Sequence, residues 1–312
     1  MRIVFMGTPD FSVPTLECLI KEHDVVAVVT QPDRPKGRGK AMQSSPVKMT
    51  ALAHDIPVYQ PAKVREESFV AVLKELDPDV IVVVAFGQIL PESILSLPRW
   101  GCINVHASLL PRYRGAAPIQ WAVIDGEKET GVTIMYMDKG LDTGDMIAKA
   151  VVAIEEKETG ESLHDKLSVL GGPLLLKVLD DLENGIDTRE KQDDSLSCYA
   201  GMLTKDMGRI DWNKDAASIE RLVRGLNSWP SAFTYYKNKT LKIWSADVVP
   251  GLNEAIPGKV IAVDQDSFTV QTGQDALRIR EVQLQGKKRM PVQAFLLGNS
   301  VEPGMVLISE EN

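Results

Sequence analysis

The chain has 312 residues, 44% hydrophobic and 25% charged, enough for one large or two ordinary domains with a buried core. No stretch approaches the roughly 18 unbroken apolar residues of a spanning helix, and Cys18, Cys102 and Cys198, widely spaced and without a CxxC pair, argue against a disulfide framework or a zinc site. The net charge of −8 argues at first against a nucleic-acid partner, since phosphate affinity comes largely from Lys and Arg.

That average conceals a split. From Met207 to Asn312 there are 13 Lys+Arg against 12 Asp+Glu, and before Met207 there are 22 against 31. The acidic excess belongs to the first part, which permits a basic face on the second.

Arg2 to Met6 reads as a buried strand, too brief and too soon broken by Gly7 for a signal sequence. A turn at Gly7-Thr8-Pro9-Asp10 follows, then a helix from Ser12 to Ile20 with Ser12 as its N-cap and Pro14 in its first turn. The alternation recurs: Val25–Val29 as strand, Pro46–Ala53 and Val70–Leu76 as helices, Val80–Val84 as strand. Continuous Val/Ile runs separated by helices describe a parallel sheet buried on both faces, hence an α/β, doubly wound, Rossmann-like domain. The single Gly of the first turn falls short of the three of GxGxxG, so a dinucleotide site is weakly supported. Between the second strand and the next helix, Arg34, Lys36, Arg38 and Lys40 are interleaved with Pro and Gly, a composition that favours an exposed mobile loop, either merely solvated or an arm that grips phosphates.

The stretch from Gly101 to Gly115 organises the chain. Asn104 and His106 alternate with Ile103 and Val105, and a period of two puts the amide and the imidazole side by side on one strand face. An amide that donates and an imidazole that donates, accepts or carries a proton suit a reacting carbonyl. The same pair also suits a structural hydrogen bond on a solvated face. Ser108-Leu109-Leu110-Pro111 then breaks the alternation with a turn fit to wall a planar ligand. Gly7, Phe86-Gly87 and Asn104–His106 fall at strand ends, where open α/β sheets place ligands.

Thr130 to Met137 reads as a strand, followed by a loop in which Gly140 and Gly144 flank Asp142, a turn former or an aimed carboxylate. Met146–Ile154 reads as strand and Ser162–Leu182 as a helix. Polar residues from Glu183 to Lys205 read as linker. A short helix over Asp215–Asn227 precedes six strand-like runs between Ala232 and Ile308, which suggest a small OB-type β-barrel. Lys237, Lys239 and Lys242 near Tyr235, Tyr236 and Trp244, with Lys287, Lys288 and Arg289, form either a basic aromatic surface or a solvated charged face.

Taken together, Gly7-Thr-Pro-Asp-Phe11, Thr30-Gln-Pro-Asp-Arg-Pro35 with Gly37-Arg-Gly-Lys40, Gly101 to His106, Ser108 to Pro111, Arg114 to Gln120, Gly131 to Ile134 and Gly140 to Asp145 carry a resemblance over essentially the whole chain to the folate-dependent formyltransferases. The Asn-x-His, the SLLP turn and the later Asp mark that reaction class, and the basic loop and C-terminal barrel narrow it to the tRNA-formylating members. The resemblance implies a catalytic domain over 1–188, a linker over 189–206 and a tRNA-binding barrel over 207–312. It implies transfer of formyl from 10-formyltetrahydrofolate to the α-amino group of methionyl initiator tRNA, for translation initiation, with Asn104, His106 and Asp142 catalytic. Phe86, Gly87, Gln88, Ile89 and Leu90, with Ser108, Leu109, Leu110 and Pro111, would bind the folate, and Arg34, Lys36, Arg38, Lys40, Lys287, Lys288 and Arg289 the tRNA. No metal and no membrane partner are expected, and a cytoplasmic monomer is. A small-amine formyltransferase would share the three polar residues without needing the basic loop or barrel, and a non-catalytic RNA-binding protein would have little need of all three.

Overall fold

The computed structural model describes residues 1–36, 41–252 and 255–308. Contacts divide the chain into two units, one of Met1–Pro118, Glu129–Ala153 and His164–Ala200, the other of Ile119–Lys128, Ile154–Leu163 and Gly201–Asn312. Composition puts the boundary in the polar segment 189–206; contacts put it between Ala200 and Gly201 and add two earlier excursions to the second unit.

The first unit starts with β1 (Arg2–Gly7), α1 (Val13–Glu22) and β2 (Asp24–Val29). Ser12 does not cap α1. A 3-10 turn over Asp10–Ser12 leads directly into the helix, so Ser12 is already helical and its hydroxyl donates to the Val84 carbonyl at 2.6 Å. Next, β3 (Arg34–Lys36) pairs antiparallel with β4 (Ala41–Gln43). The ends of the expected loop are thus a short hairpin, and Asp33 before it is held by Lys48 at 2.7 Å and by Gln60 at 2.8 Å. Those two hydrogen bonds, Lys48 foremost, keep the Asp33 carboxyl below its ordinary pKa. Then come α2 (Pro46–Ala53), β5 (Val58–Tyr59), α3 (Glu67–Leu76), β6 (Val80–Val84), α4 (Glu92–Leu95), β7 (Cys102–His106) and β8 (Arg114–Gly115).

After α5 (Pro118–Asp125), which lies mostly in the second unit, β9 (Glu129–Tyr136) and β10 (Met146–Ala153) complete a seven-stranded sheet in the order β10-β9-β7-β6-β1-β2-β5. Its pairings are parallel except β7 with β9 and β9 with β10. Every residue of β6 and β7 is buried, as continuous Val/Ile runs covered on both faces require. From β1 the strand order proceeds one way to β2 and β5 and the other way to β6 and β7, which places a switch point between β1 and β6. The long helix α6 (Gly160–Glu183) packs on the sheet through a Gly171-Gly172 pair. A Cβ at Gly171 would stand 2.7 Å from Val105 Cγ1, and one at Gly172 2.6 Å from Cys18 Sγ, so only glycine permits that approach.

Residues 190–200 are not free linker. Glu190 exchanges both backbone hydrogen bonds with Met146, at 2.8 and 2.7 Å, and β11 (Tyr199–Ala200) pairs parallel with β8. Composition records their polarity but not their partners, which lie over 40 residues away for Met146 and over 80 for Arg114.

In the second unit, α7 (Ala216–Gly225) is capped by Asp215, which accepts from Ser218 N at 2.8 Å and from Ser218 Oγ at 2.6 Å. There follow β12 (Ala232–Tyr236), β13 (Lys239–Val249), β14 (Val260–Val263), β15 (Phe268–Gln271), β16 (Ala276–Leu284), β17 (Met290–Pro291) and α8 (Val292–Leu296). The sheet is antiparallel in the order β12-β13-β16-β15-β14, with β17 on β16. Val306 bridges Lys259 beside one edge and Ile308 bridges Tyr235 on the other. The expected last strand therefore joins the two edges through single bridges, which covers both against outside pairing. Phe268, Ile279, Val282 and Phe295 fill the core.

Asp215→Ala removes two hydrogen bonds from the first turn of α7, and the expected loss is about 1 kcal/mol of unfolding free energy. Urea titration followed by tryptophan fluorescence measures it, because Trp212 is buried in the same core.

Candidate active site

Three strand ends converge at one end of the sheet. Thr8 after β1 and Gln31 after β2 each donate a side-chain hydrogen bond to the carbonyl of Phe86 after β6, both at 3.2 Å. Asn104 is in register with Val83 on β6 and with Met135 on β9. The loops after β1, β2 and β6 are therefore tied together across the switch point, with Asn104 and His106 on β7, the strand next to β6.

Asn104 is 9% exposed, and among the described residues its side-chain amide has no hydrogen-bond partner. Two residues earlier on the same face, Cys102 is buried and gives a weak hydrogen bond to the Ile94 carbonyl at 3.6 Å. Burial pushes its thiol up to about 12, so it stays neutral and contributes only apolar surface. Phe86, Leu90 and Ile94 belong to the same apolar cluster.

His106 Nε2 donates to the Tyr113 carbonyl at 3.0 Å, and its Nδ1 faces Asp142 Oδ2 at 3.7 Å. A carbonyl only accepts, so the proton of the neutral ring sits on Nε2 and the lone pair on Nδ1. Asp142 lies in the left-handed region, φ 54°, and its Oδ2 accepts from Gly115 N at 2.8 Å. Asp138 organises the loop in front of it, accepting from Gly140 N at 2.9 Å and Thr143 Oγ1 at 2.7 Å. A Cβ at Gly144 would stand 1.9 Å from the Tyr136 carbonyl, which fixes glycine there.

The structure thus brings Asn104, His106 and Asp142 together in one unit. It separates the roles of the expected folate-contacting residues. Ser108 holds its own turn, donating to the Arg112 carbonyl at 2.7 Å, and Leu110 is 1% exposed against Met135 and Met146. Thr133, not singled out from sequence, ties that turn down by accepting from Leu110 N at 3.1 Å and donating to Ser108 O at 2.6 Å. In the other loop Phe86 and Leu90 are buried, Gly87 is exposed, and Gln88 is engaged with Val64 N and the Pro61 carbonyl. Ile89 is 87% exposed, and Leu109 and Pro111 are partly buried.

Of the basic residues, Arg34 is exposed on β3, nothing is described of the side chain of Lys36, and Arg38 and Lys40 lie outside the described residues. In the second unit Lys287 and Lys288 are exposed and, among the described residues, unpaired. Arg289 pairs with Glu281 and lies over the Trp244 ring at 4.8 Å, with Lys242 at 5.7 Å from the same ring. A separate cavity of about 460 Å³ opens at the start of β7, lined by Trp100, Tyr136, Asp187 and Arg189 among others, and contains none of the three polar residues. Among the described residues no helix is long and apolar enough to cross a membrane, and no group of three His, Cys, Asp or Glu is placed to hold a metal.

Residues 1–179 match the family model described as formyl transferase, and 202–300 the formyl transferase C-terminal domain. A methionyl-tRNA formyltransferase of Lachnospira eligens is 57% identical, covering 98% of this chain and 99% of its own. One of Agathobacter rectalis is 55% identical over 97% and 98%. Among solved structures, an N-formyltransferase from Helicobacter canadensis in complex with folinic acid and dTDP-3-aminofucose superposes with a TM-score of 0.65 at 19% identity, covering 91% of this chain and 99% of that one. A phosphoribosylglycinamide formyltransferase from Bacillus halodurans superposes with a TM-score of 0.50 at 27% identity, covering 58% and 95%. On this full-length identity and on both domain matches, the chain belongs to the methionyl-tRNA formyltransferase family.

Proposed function

We propose that Asn104, His106 and Asp142 carry the chemistry of this formyltransferase, which moves the formyl group of 10-formyltetrahydrofolate to the α-amino group of methionyl initiator tRNA. The observation that carries the assignment is the partnerless amide of Asn104 two residues from an imidazole that faces a carboxylate at 3.7 Å. The donor supplies an activated formyl carbon and a nitrogen that must leave with a proton.

As the amine nitrogen bonds to that carbon, negative charge gathers on the formyl oxygen, and the Asn104 N–H groups donate to it. The amine must also lose a proton. His106 Nδ1 holds a lone pair for that proton, taken directly or through a water, and the Asp142 carboxylate balances the cation. As the adduct collapses, the bond from the formyl carbon to the folate nitrogen breaks and the imidazolium returns the proton to that nitrogen. Because Tyr113 O engages Nε2, the imidazole does not also donate from Nε2 to the oxyanion. Phe86, Leu90 and Cys102 give a planar ring an apolar wall, and the Ser108–Pro111 turn bounds it. The exposed cations Arg34, Lys287 and Lys288 supply phosphate contacts from each unit. The enzyme acts as a cytoplasmic monomer.

Transfer of labelled formyl from 10-formyltetrahydrofolate tests the reading, with methionyl initiator tRNA, uncharged initiator tRNA and free small amines as acceptors. Labelling of the charged tRNA alone is expected; labelling of a small amine alone overturns the acceptor. Asn104→Ala is expected to lower kcat about 10²- to 10³-fold, the range for loss of one oxyanion donor, with KM for tRNA unchanged. Thr133→Val removes both hydrogen bonds that pin the Ser108–Pro111 turn. It is expected to cost about 1–3 kcal/mol of stability in a denaturant titration and to raise KM for the folate while sparing KM for the tRNA.

A further inference from the structure

Asp142 sits in a loop in a left-handed conformation, and among the described residues one backbone N–H, that of Gly115, is the only hydrogen-bond donor to its carboxylate. What fixes the loop itself comes from residue 192, fifty positions later. Gln192 Nε2 donates to two carbonyls of the loop, Asp142 O and Gly144 O, each at 2.8 Å. Gln192 Oε1 accepts a fork from Arg114, Nε at 3.0 Å and Nη2 at 2.9 Å. Carbonyls only accept and a guanidinium only donates, so one orientation of the amide satisfies all four contacts. Both protons and both lone pairs are committed.

Arg114 is also the neighbour of Gly115, whose N–H meets the Asp142 carboxylate. The amide of Gln192 therefore links the backbone that carries the carboxylate to the segment that receives it. Its own position is held on both sides, by the Glu190–Met146 backbone pair before it and by Arg114 N to Cys198 O at 3.0 Å after it. Arg114 Nη2 further pairs with Asp194 at 2.7 Å, an exposed contact of little energetic weight.

We infer that Gln192 is a positioning residue: by donating to the carbonyls of Asp142 and Gly144 it sets the distance of the Asp142 carboxylate from His106, and so the rate of the proton-transfer step. The inference rests on the catalytic reading of Asp142. A carboxylate misplaced by about 1 Å costs up to about 100-fold in rate, and a carboxylate that acts only after substrate binds does so without a change in KM.

The test uses the full chain in single-turnover formyl transfer to methionyl initiator tRNA, with Gln192→Ala, Gln192→Glu, Asp142→Asn and the Gln192→Ala/Asp142→Asn pair. The glutamate keeps the length and the Arg114 fork but brings no donor to the two carbonyls. Both Gln192 variants are expected to be about 10- to 100-fold slower, with KM for both substrates and the melting temperature close to wild type. The double variant should be no slower than Asp142→Asn alone. A wild-type rate for Gln192→Glu, rate losses that multiply in the double variant, or a loss confined to KM each overturn the inference while leaving Asp142 catalytic. A wild-type rate for Asp142→Asn overturns the catalytic reading itself, and the inference with it.

Discussion

A strand covered on both faces is a costly place for a polar side chain, because a hydrogen bond left unmade there costs about 1–3 kcal/mol. The third strand of the sheet, β7, carries two such side chains, Asn104 and His106. Apolar residues at both positions would serve the core better, as they do on β6, where all five residues are Val or Ile. The cost of His106 is offset by the Tyr113 carbonyl. Asn104 has no partner among the described residues, and its amide atoms are not closed off from solvent, so the group stays free to donate.

Much else follows from holding those two groups still. Gly171 and Gly172 bring α6 against Val105 and Cys18, fixing β7 from behind. Thr133, fully buried and opposite His106 in register, pins the turn that leaves the strand. Tyr113, at φ 59°, and Asp142, at φ 54°, hold backbone conformations that non-glycine residues rarely adopt. Both touch His106, by a carbonyl in one case and a carboxylate in the other. Seven other described non-glycine residues hold a positive φ, but these two are the ones that set the surroundings of the imidazole.

The parts of this arrangement legible in the sequence are those with short-range signatures. Period-two alternation put Asn104 and His106 on one face, continuous Val/Ile runs marked the buried strands, and two glycines marked the loop of Asp142. The partners were not legible. Gly115 lies 27 positions from Asp142 and Gln192 lies 50, and nothing local distinguishes a glutamine that satisfies four long-range contacts from one that faces solvent. Polar composition therefore read 189–206 as linker, although its first part is hydrogen-bonded into the first unit. The Pro- and Gly-interleaved cations before Met42 read as loop for the same reason: the pairing of Arg34 with Gln43 involves no alternation long enough to see.

Acceptor choice requires a separate argument, because the fold is shared with formyltransferases of other names. The phosphoribosylglycinamide enzyme covers 58% of this chain and 95% of its own, so that enzyme matches only part of this chain's fold. The Helicobacter canadensis enzyme, solved with an amino sugar nucleotide, covers 91%, so nearly the whole fold recurs there, and fold alone does not decide the acceptor. What remains is local charge. Residues 207–312 are nearly neutral overall, yet Lys287 and Lys288 are exposed there, and the Trp244 ring is flanked by Lys242 and Arg289. Arg289 is already paired with Glu281, which lowers what it adds to phosphate attraction and leaves it the more directional task of covering the indole. If the proposed phosphate contacts rest on so few free cations, affinity for a polyanion is modest and its salt dependence shallow. That suits an enzyme that must release one tRNA after each transfer.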